Sequence, residues 1–449
     1  MSIRHDHLYV EGCDTVSIAQ QFGTPLFVVS EKHLRHNLRT YQQTFSKHWP
    51  DGRVKIIPSI KASPLLALRR ILTEEGAGCD VFGPGELEAA IRGKVSPELI
   101  SVNGSIKDQA IIHKAIDIGA TIVLDSPREL ELCRSEATKL GKTAKIMLRI
   151  KPYMQELDDF SDYVPDKKIN TLTQLIKYGI PASELFSMAK RVLEIDNVDV
   201  IGVHAHMGRH SKRTTVWQSW IRNYTKLIKE LCQIMPTWLP KELNIGGGFP
   251  SLPDKDTDVT IAGYDGPSLD ELASVISATL RASLQENDID PSGITLALEP
   301  GRGIHCDTSV HLSRICNLKH ETQNVPHKWA EIDTSQMFLG VGGANFDKPK
   351  FDFLIANKAE QANTSVTDIV GKTCNLEILY YQVDVPELAE GDIIALQNTG
   401  SYIETCAQNF NALPRPGVVL VNGDKSEWIK RAETIDDVFA RDVIPERFK

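Results

Sequence analysis

The chain has 449 residues, 41% hydrophobic and 24% charged, with a formal net charge of -9. That is too long for one ordinary core and suggests a soluble protein of two domains, one of them large enough for an α/β barrel. The acidic balance and the lack of a Lys/Arg-rich tract argue against nucleic acid as the main partner, and no apolar run approaches the roughly 18 residues of a membrane span. The opening MSIRHDHLYVEG mixes charges and has no apolar stretch, so it does not read as a signal peptide. Cysteines at 13, 79, 133, 232, 306, 316, 374 and 406 form no CxxC pair, which argues against a zinc site or a disulfide framework. The cytoplasm is the expected compartment.

Read in chain order, an entry run LFVVS (26–30) precedes eight strand candidates. They are VKIIPSIK (54–61), GCDVFG (78–83), LISVNG (99–104), TIVLDS (121–126), KIMLRI (145–150), VIGVHAHMG (200–208), LNIGGG (243–248) and TLALEPG (295–301). Helical patterns such as SPLLALRRILTEEG (63–76) and TTVWQSWIRNYTKLIKELCQIM (214–235) lie between them. Strand-then-helix units repeated in this way predict a (β/α)8 barrel over 31–302, with a doubly wound open sheet as the rival. Beyond 302 the runs AEIDTS, TDIVGKTC, GDIIALQN and GVVLVNG, parted by Gly, Pro and Asn, predict a β-domain. That domain is expected to take 1–30 and 303–449, giving an α/β plus all-β chain.

Ligands of a barrel meet the C-terminal ends of its strands. Lys61 ends the first predicted strand, Asp80 lies in the second, His204 and His206 close the sixth, Gly246, Gly247 and Gly248 end the seventh, and Glu299 and Arg302 end the eighth. Each has a bland counterpart. Lys61 could be a solvated strand end, GGGFP and EPGR ordinary turns, HAH a metal pair or packed rings, and Cys374 a small buried hydrophobe. Together they suit one cofactor: a lysine forms an imine, glycines let backbone N–H groups approach a phosphate, an arginine clamps it, and a carboxylate keeps a pyridine nitrogen protonated. That set points to pyridoxal phosphate.

The joint pattern SIKAS, GAGCDVFGPGELEAA, VHAHMG, NIGGGFP, EPGR, GKTC, GDIIALQNTGSY and FNALPRP resembles the pyridoxal-phosphate decarboxylases that join an alanine-racemase-type barrel to a β-domain, the diaminopimelate and ornithine decarboxylases among them. The resemblance implies that Lys61 carries the cofactor, His206 stacks on its ring, and Glu299 pairs with the ring nitrogen. It implies that Gly246, Gly247, Gly248, Gly301, Arg302 and Tyr402 surround the phosphate, with Asp80 also at the cofactor. Cys374 becomes the proton donor, delivered by a second subunit of a homodimer, while Arg302, Glu377 and Tyr402 meet the substrate.

The chain departs from the family pattern at four places. Ser63 stands where many members have Asn, and Arg209 where they have Ser. Segment 337–358 lacks the arginine that holds the distal carboxylate of diaminopimelate, leaving Asp347 and Asp352 as candidates for a distal ammonium. Asn375, not an acid, follows Cys374. The expectation is a decarboxylase of a diamino acid or a conjugate of one, in amine, siderophore or secondary metabolism. The alternatives are diaminopimelate decarboxylation in lysine biosynthesis, an amino-acid racemase on the same fold, and a non-catalytic regulatory relative. No metal is expected.

Overall fold

The computed structural model describes residues 1–162, 166–208, 212–249, 266–340 and 351–449. Two compact units emerge. One takes Met1–Leu34 and His305–Lys449, and the other takes the described residues between Arg35 and Ile304.

The second unit is a parallel barrel. Its strands are β1 (Val54–Ile56), β2 (Cys79–Val81), β3 (Ile100–Val102), β4 (Thr121–Leu124), β5 (Ala144–Arg149), β6 (Val198–His204), β7 (Glu242–Asn244) and β8 (Thr295–Leu298). They pair in the order β1-β8-β7-β6-β5-β4-β3-β2. A parallel bridge from Ser59 to Asp80 brings the two ends of the sheet together, so the barrel is nearly closed. Parallel neighbours cannot be joined by a tight turn, so each crossover carries helix that covers the sheet. This is why the strands are buried on both faces and read as short apolar runs.

The helices follow from their patterns. Helix α1 (Leu66–Glu74) turns Leu68, Ile71 and Leu72 inward at helical spacing. In α2 (Gln109–Ile118), the Asp108 side chain accepts from the Ile111 N–H at the start, and Gly119 in the left-handed region, φ 85°, stops the helix. The long α3 (Thr214–Ile234) buries Val216, Trp217, Trp220, Ile221, Tyr224, Ile228 and Leu231 along one stripe. Each such side chain contributes about 1.5–3 kcal/mol on leaving water.

The barrel strands are shorter than the sequence runs that announce them. The first ends at Ile56, and Lys61 lies beyond it in a single 3₁₀ turn, Ile60–Ala62. Pro58 has no N–H to donate, so the backbone leaves the regular ladder there. The Ile57 N–H still reaches Leu298 O at 2.8 Å, which keeps the turn over the barrel end.

The first unit is built on a mixed sheet. Its strands include Leu26–Ser30, β9 (Ser309–Glu321), β10 (His327–Ile332), β11 (Phe353–Ile355), β12 (Ser365–Val370), β13 (Ile378–Val385), β14 (Ile393–Gln397), β15 (Gly417–Asn422) and β16 (Lys425–Lys430). The path runs β13-β12-β10-β9, then Leu26–Ser30, then β15-β16, and β14 pairs with both β9 and β11. Two apolar clusters fill it, one around Val28, Val310, Leu312 and Val419, the other around Ile315, Ile332, Ile369 and Leu396. The β12–β13 hairpin carries Cys374 in its connecting loop. No helix among the described residues is long and apolar enough to cross a membrane.

Candidate active site

The polar residues of the barrel gather at the C-terminal ends of its strands. Lys61 Nζ donates to Ser59 Oγ at 2.9 Å and lies 3.4 Å from Asp80 Oδ2. Asp80, in β2, is 3% exposed, and its Oδ2 also accepts from Ser59 Oγ. Its other oxygen accepts from Asn103 Nδ2 at 2.6 Å. Asn103 follows β3 directly, and its Nδ2 donates onward to Glu299 Oε1 at 3.0 Å. Glu299, just past β8, takes a further bond from Asn244 Nδ2 at 2.8 Å and faces His204 Nε2 at 3.2 Å. Residues separated by up to 240 positions thus form one buried hydrogen-bonded chain, because parallel strands deliver all their C-terminal ends to one rim.

The electrostatics follow from that packing. Burial by itself pushes the Glu299 carboxyl up. The His204 ring and its hydrogen bond, the Lys61 charge and the Asn244 N–H outweigh it, so Glu299 sits below the usual carboxylate range and is ionised. Burial, then the nearby charges of Lys61, Arg149 and His204, push His206 well below its ordinary value, so its ring is neutral. The ring keeps some surface of its own, yet the packing around it withdraws enough water for burial to dominate. His206 Nδ1 accepts from the Gly208 N–H at 2.9 Å, which leaves the ring proton on Nε2. The two histidines of HAH therefore do different work, and among the described residues no group of three or more His, Cys, Asp or Glu is placed to hold a metal ion.

The glycine triplet is required sterically. A Cβ on Gly247 would lie 2.5 Å from Glu299 O, and one on Gly248 would lie 2.6 Å from Gly208 O. Gly246 and Gly248 also hold φ of 69° and 93°, which favour glycine. Gly301 precedes the short helix Arg302–His305, which Arg302 opens half-buried. Arg209 lies outside the described residues.

A second cluster occupies the β-domain. Cys374 is exposed; its backbone N–H donates to Asn411 Oδ1 at 3.1 Å, and its Sγ accepts from Asn411 Nδ2 at 3.4 Å. Glu377, read from the sequence as a substrate contact, is turned into the loop and is 3% exposed. Its Oε1 accepts from Ser335 Oγ at 2.6 Å and its Oε2 from the Thr373 N–H at 3.3 Å. The reason is local: the loop from Gly371 onward must place its backbone N–H groups somewhere, and a buried carboxylate supplies the acceptors. Gly371 belongs to the same design, since a Cβ there would meet Glu377 Oε2 at 2.1 Å. Tyr402 is half-buried with φ 64°, in a loop after Gly400. Asp352 is half-buried, and Asp347 lies outside the described residues.

Sequence reading passed over Asn103, Asn244, Ser59 and Asn411. The available signal for the first two was an asparagine closing a short apolar strand, in SVNG and LNIGG. Such a residue is costly in a buried strand unless its amide has partners.

A lysine amine, an ionised buried carboxylate and a flat neutral imidazole at one barrel end, beside backbone that admits no side chain, form a donor set suited to pyridoxal phosphate. Comparison with known proteins agrees. Residues 31–305 match the family model described as pyridoxal-dependent decarboxylase, pyridoxal binding domain. The chain is 27% identical to the diaminopimelate decarboxylase of Synechocystis, over 99% of this chain and 92% of that one. The diaminopimelate decarboxylase of Bacillus methanolicus is 29% identical over 95% of this chain and 94% of its own. Among solved structures, the M. jannaschii diaminopimelate decarboxylase in complex with L-lysine superposes with a TM-score of 0.87 at 25% identity, covering 100% of this chain and 98% of that one. This protein belongs to the pyridoxal-dependent decarboxylases. It is a pyridoxal-phosphate-dependent carboxy-lyase acting on an amino acid, built as a barrel with a β-domain.

Proposed function

We propose that the substrate is a diamino acid or a conjugate of one, from which the enzyme removes the α-carboxylate, and that it works as a cytoplasmic homodimer with shared sites. The observation that carries the placement of the site is the hydrogen-bonded chain from Lys61 through Asp80 and Asn103 to Glu299. Pyridoxal phosphate, bound there, supplies an electron sink for the pair left on the α-carbon as carbon dioxide departs.

In this reading each residue of the chain has a defined task. Lys61 binds the cofactor covalently, and Ser59 and Asp80 orient its amine. Ionised Glu299 would accept a hydrogen bond from the ring nitrogen of the cofactor and keep that nitrogen protonated. Neutral His206 offers a flat face that adds no charge. Gly246, Gly247, Gly248, Gly301, Arg302 and Tyr402 hold the phosphate, and Arg302 and Tyr402 also approach the substrate. Cys374 holds the proton that the α-carbon receives. Its exposure, next to the apolar Leu376 and Tyr381 on the same hairpin at 88% and 66% exposed, fits a loop that a second copy covers.

The substrate class rests on the lack of an arginine in 337–358. The second reading, diaminopimelate decarboxylation, is favoured by similarity to diaminopimelate decarboxylases along the whole chain. Carbon dioxide release from L- and D-diamino acids, citrate-linked diamino acids and meso-diaminopimelate, with cofactor-loaded enzyme, decides between them. The first reading expects turnover of the simple or citrate-linked diamino acids in preference to meso-diaminopimelate. If meso-diaminopimelate is preferred by a wide margin, the first reading falls and the second stands.

A further inference from the structure

Asn103 lies between two acids. Its Nδ2 is 2.6 Å from Asp80 Oδ1 and 3.0 Å from Glu299 Oε1, with Ser101 Oγ farther off at 3.5 Å. Asn103 is 3% exposed, as are Asp80 and Glu299. Its own Oδ1 has no hydrogen-bond partner. The amide therefore turns its NH₂ to the carboxylates, an orientation that gives each of the two acids a donor.

The two acids differ in their other partners. Asp80 takes Ser59 and Lys61, while Glu299 takes Asn244 and His204. An amide shared between them gives each a donor without adding charge. A lysine or arginine in its place would bind one carboxylate as an ion pair and compete with Lys61.

We propose that Asn103 is a positioning residue that couples the two acids, so that the partner state of Asp80 beside Lys61 is felt by Glu299 at the other end of the hydrogen-bonded chain. The proposal rests on the reading that places pyridoxal phosphate among these residues. When the Lys61 nitrogen is committed to the cofactor, its hold on Asp80 changes. Asp80 then leans harder on the shared amide, and the amide's second hydrogen bond, to Glu299, responds. The amide's share of the coupling passes through one NH₂ group and vanishes with that group, leaving only the through-space effect of the Lys61 charge on Glu299.

The test is a double-mutant cycle read in the dissociation constant of pyridoxal phosphate, followed through the visible absorbance of the full-length protein, with kcat and KM measured alongside. Asp80→Asn and Glu299→Gln are made singly and together, in the native background and with Asn103→Leu, which keeps the volume and removes the donor. In the native background the two changes are expected to depart from multiplicative behaviour by about fivefold or more, and with Asn103→Leu they multiply to within about twofold. Equal coupling in both backgrounds overturns the proposal. Should Asn103→Leu fail to fold, Asn103→Ser serves, because its shorter hydroxyl reaches one acid at a time and is expected to lose the coupling as well. If neither Asp80→Asn nor Glu299→Gln alters cofactor binding or absorbance, the cofactor reading fails. If both alter it with no coupling in the native background, the bridge alone fails.

Discussion

The barrel and the β-domain build their polar sites in opposite ways. In the barrel, Lys61, Asp80, Asn103, His204, Asn244 and Glu299 come from six strand ends spread over the sequence, and five of the six are buried to within a few per cent. Their side chains satisfy one another, so each position depends on the closure of the sheet. In the β-domain, Cys374 sits on a hairpin loop whose organiser, Glu377, is three residues away, with one further clamp from Asn411. The barrel site is a property of topology, whereas the Cys374 loop is a property of local backbone satisfaction. A distributed site transmits change across its network, and a local one presents a single group to whatever approaches it.

The comparison can be broken most severely at Lys61. Lys61→Ala is expected to cost more than about 10⁴-fold in turnover, the scale seen when the central group of a covalent mechanism is removed. Borohydride reduction of the native enzyme should leave a pyridoxyl group on the Lys61 peptide. A label on a different lysine would sink the barrel-end assignment. Next in size is Cys374→Ala, expected to lower kcat by about 10²–10⁴-fold while cofactor stays bound. Mixing Lys61→Ala with Cys374→Ala then asks whether the exposed loop serves a second copy. Partial recovery of activity is expected under conditions that exchange subunits, and none returns if the cysteine acts within its own chain.

Smaller effects probe how each region is held. Glu377→Ala leaves Ser335 Oγ and the Thr373 N–H without their acceptor, and is expected to cost about 1–3 kcal/mol in chemical unfolding. Glu377→Gln keeps an acceptor oxygen and should lose less. An unchanged midpoint for the alanine variant would show that the loop does not depend on the buried carboxylate.

The mildest test uses pH. Burial holds His311 of the β-domain down to about 3, against an ordinary 6.5. The unfolded chain takes up this proton below the ordinary value and the folded chain does not. Stability is therefore complete above that value and falls as the pH drops toward the folded one, by about 1.4 kcal/mol per pH unit for this group. His311→Gln should flatten the fall measured by urea unfolding at mildly acidic pH. The same slope in both proteins would assign the acid sensitivity elsewhere, His206 of the barrel being the first alternative.

Several elements were legible without coordinates. LFVVS is a strand from Leu26 to Ser30, as its unbroken β-branched and aromatic run implies. The stripe of TTVWQSWIRNYTKLIKEL is one helix from Thr214 to Ile234. VKIIPSIK was harder, because its apolar pattern continues past Pro58 while its hydrogen-bonded ladder does not, so the strand stops at Ile56 and the lysine rides on a turn. The burial of Glu377 was hidden for a related reason. An acid near a lone cysteine looks like a ligand contact in one dimension, and nothing in GKTCNLE tells that the nearby N–H groups need an acceptor.

The sequence by itself determined the alternation of strand and helix and the cofactor chemistry, while closure of the sheet into a barrel came from the structure. Alternating apolar runs and helical stripes force parallel strands with crossovers, and a lysine, three glycines, EPGR and a late cysteine state what kind of group they serve. Tertiary structure alone decided which polar residues meet. Asn103 and Glu299 are 196 positions apart and follow strands that are not neighbours in the sheet. They touch because the barrel closes and turns those strand ends to one interior, where a buried carboxylate must find its donors wherever the backbone happens to bring them.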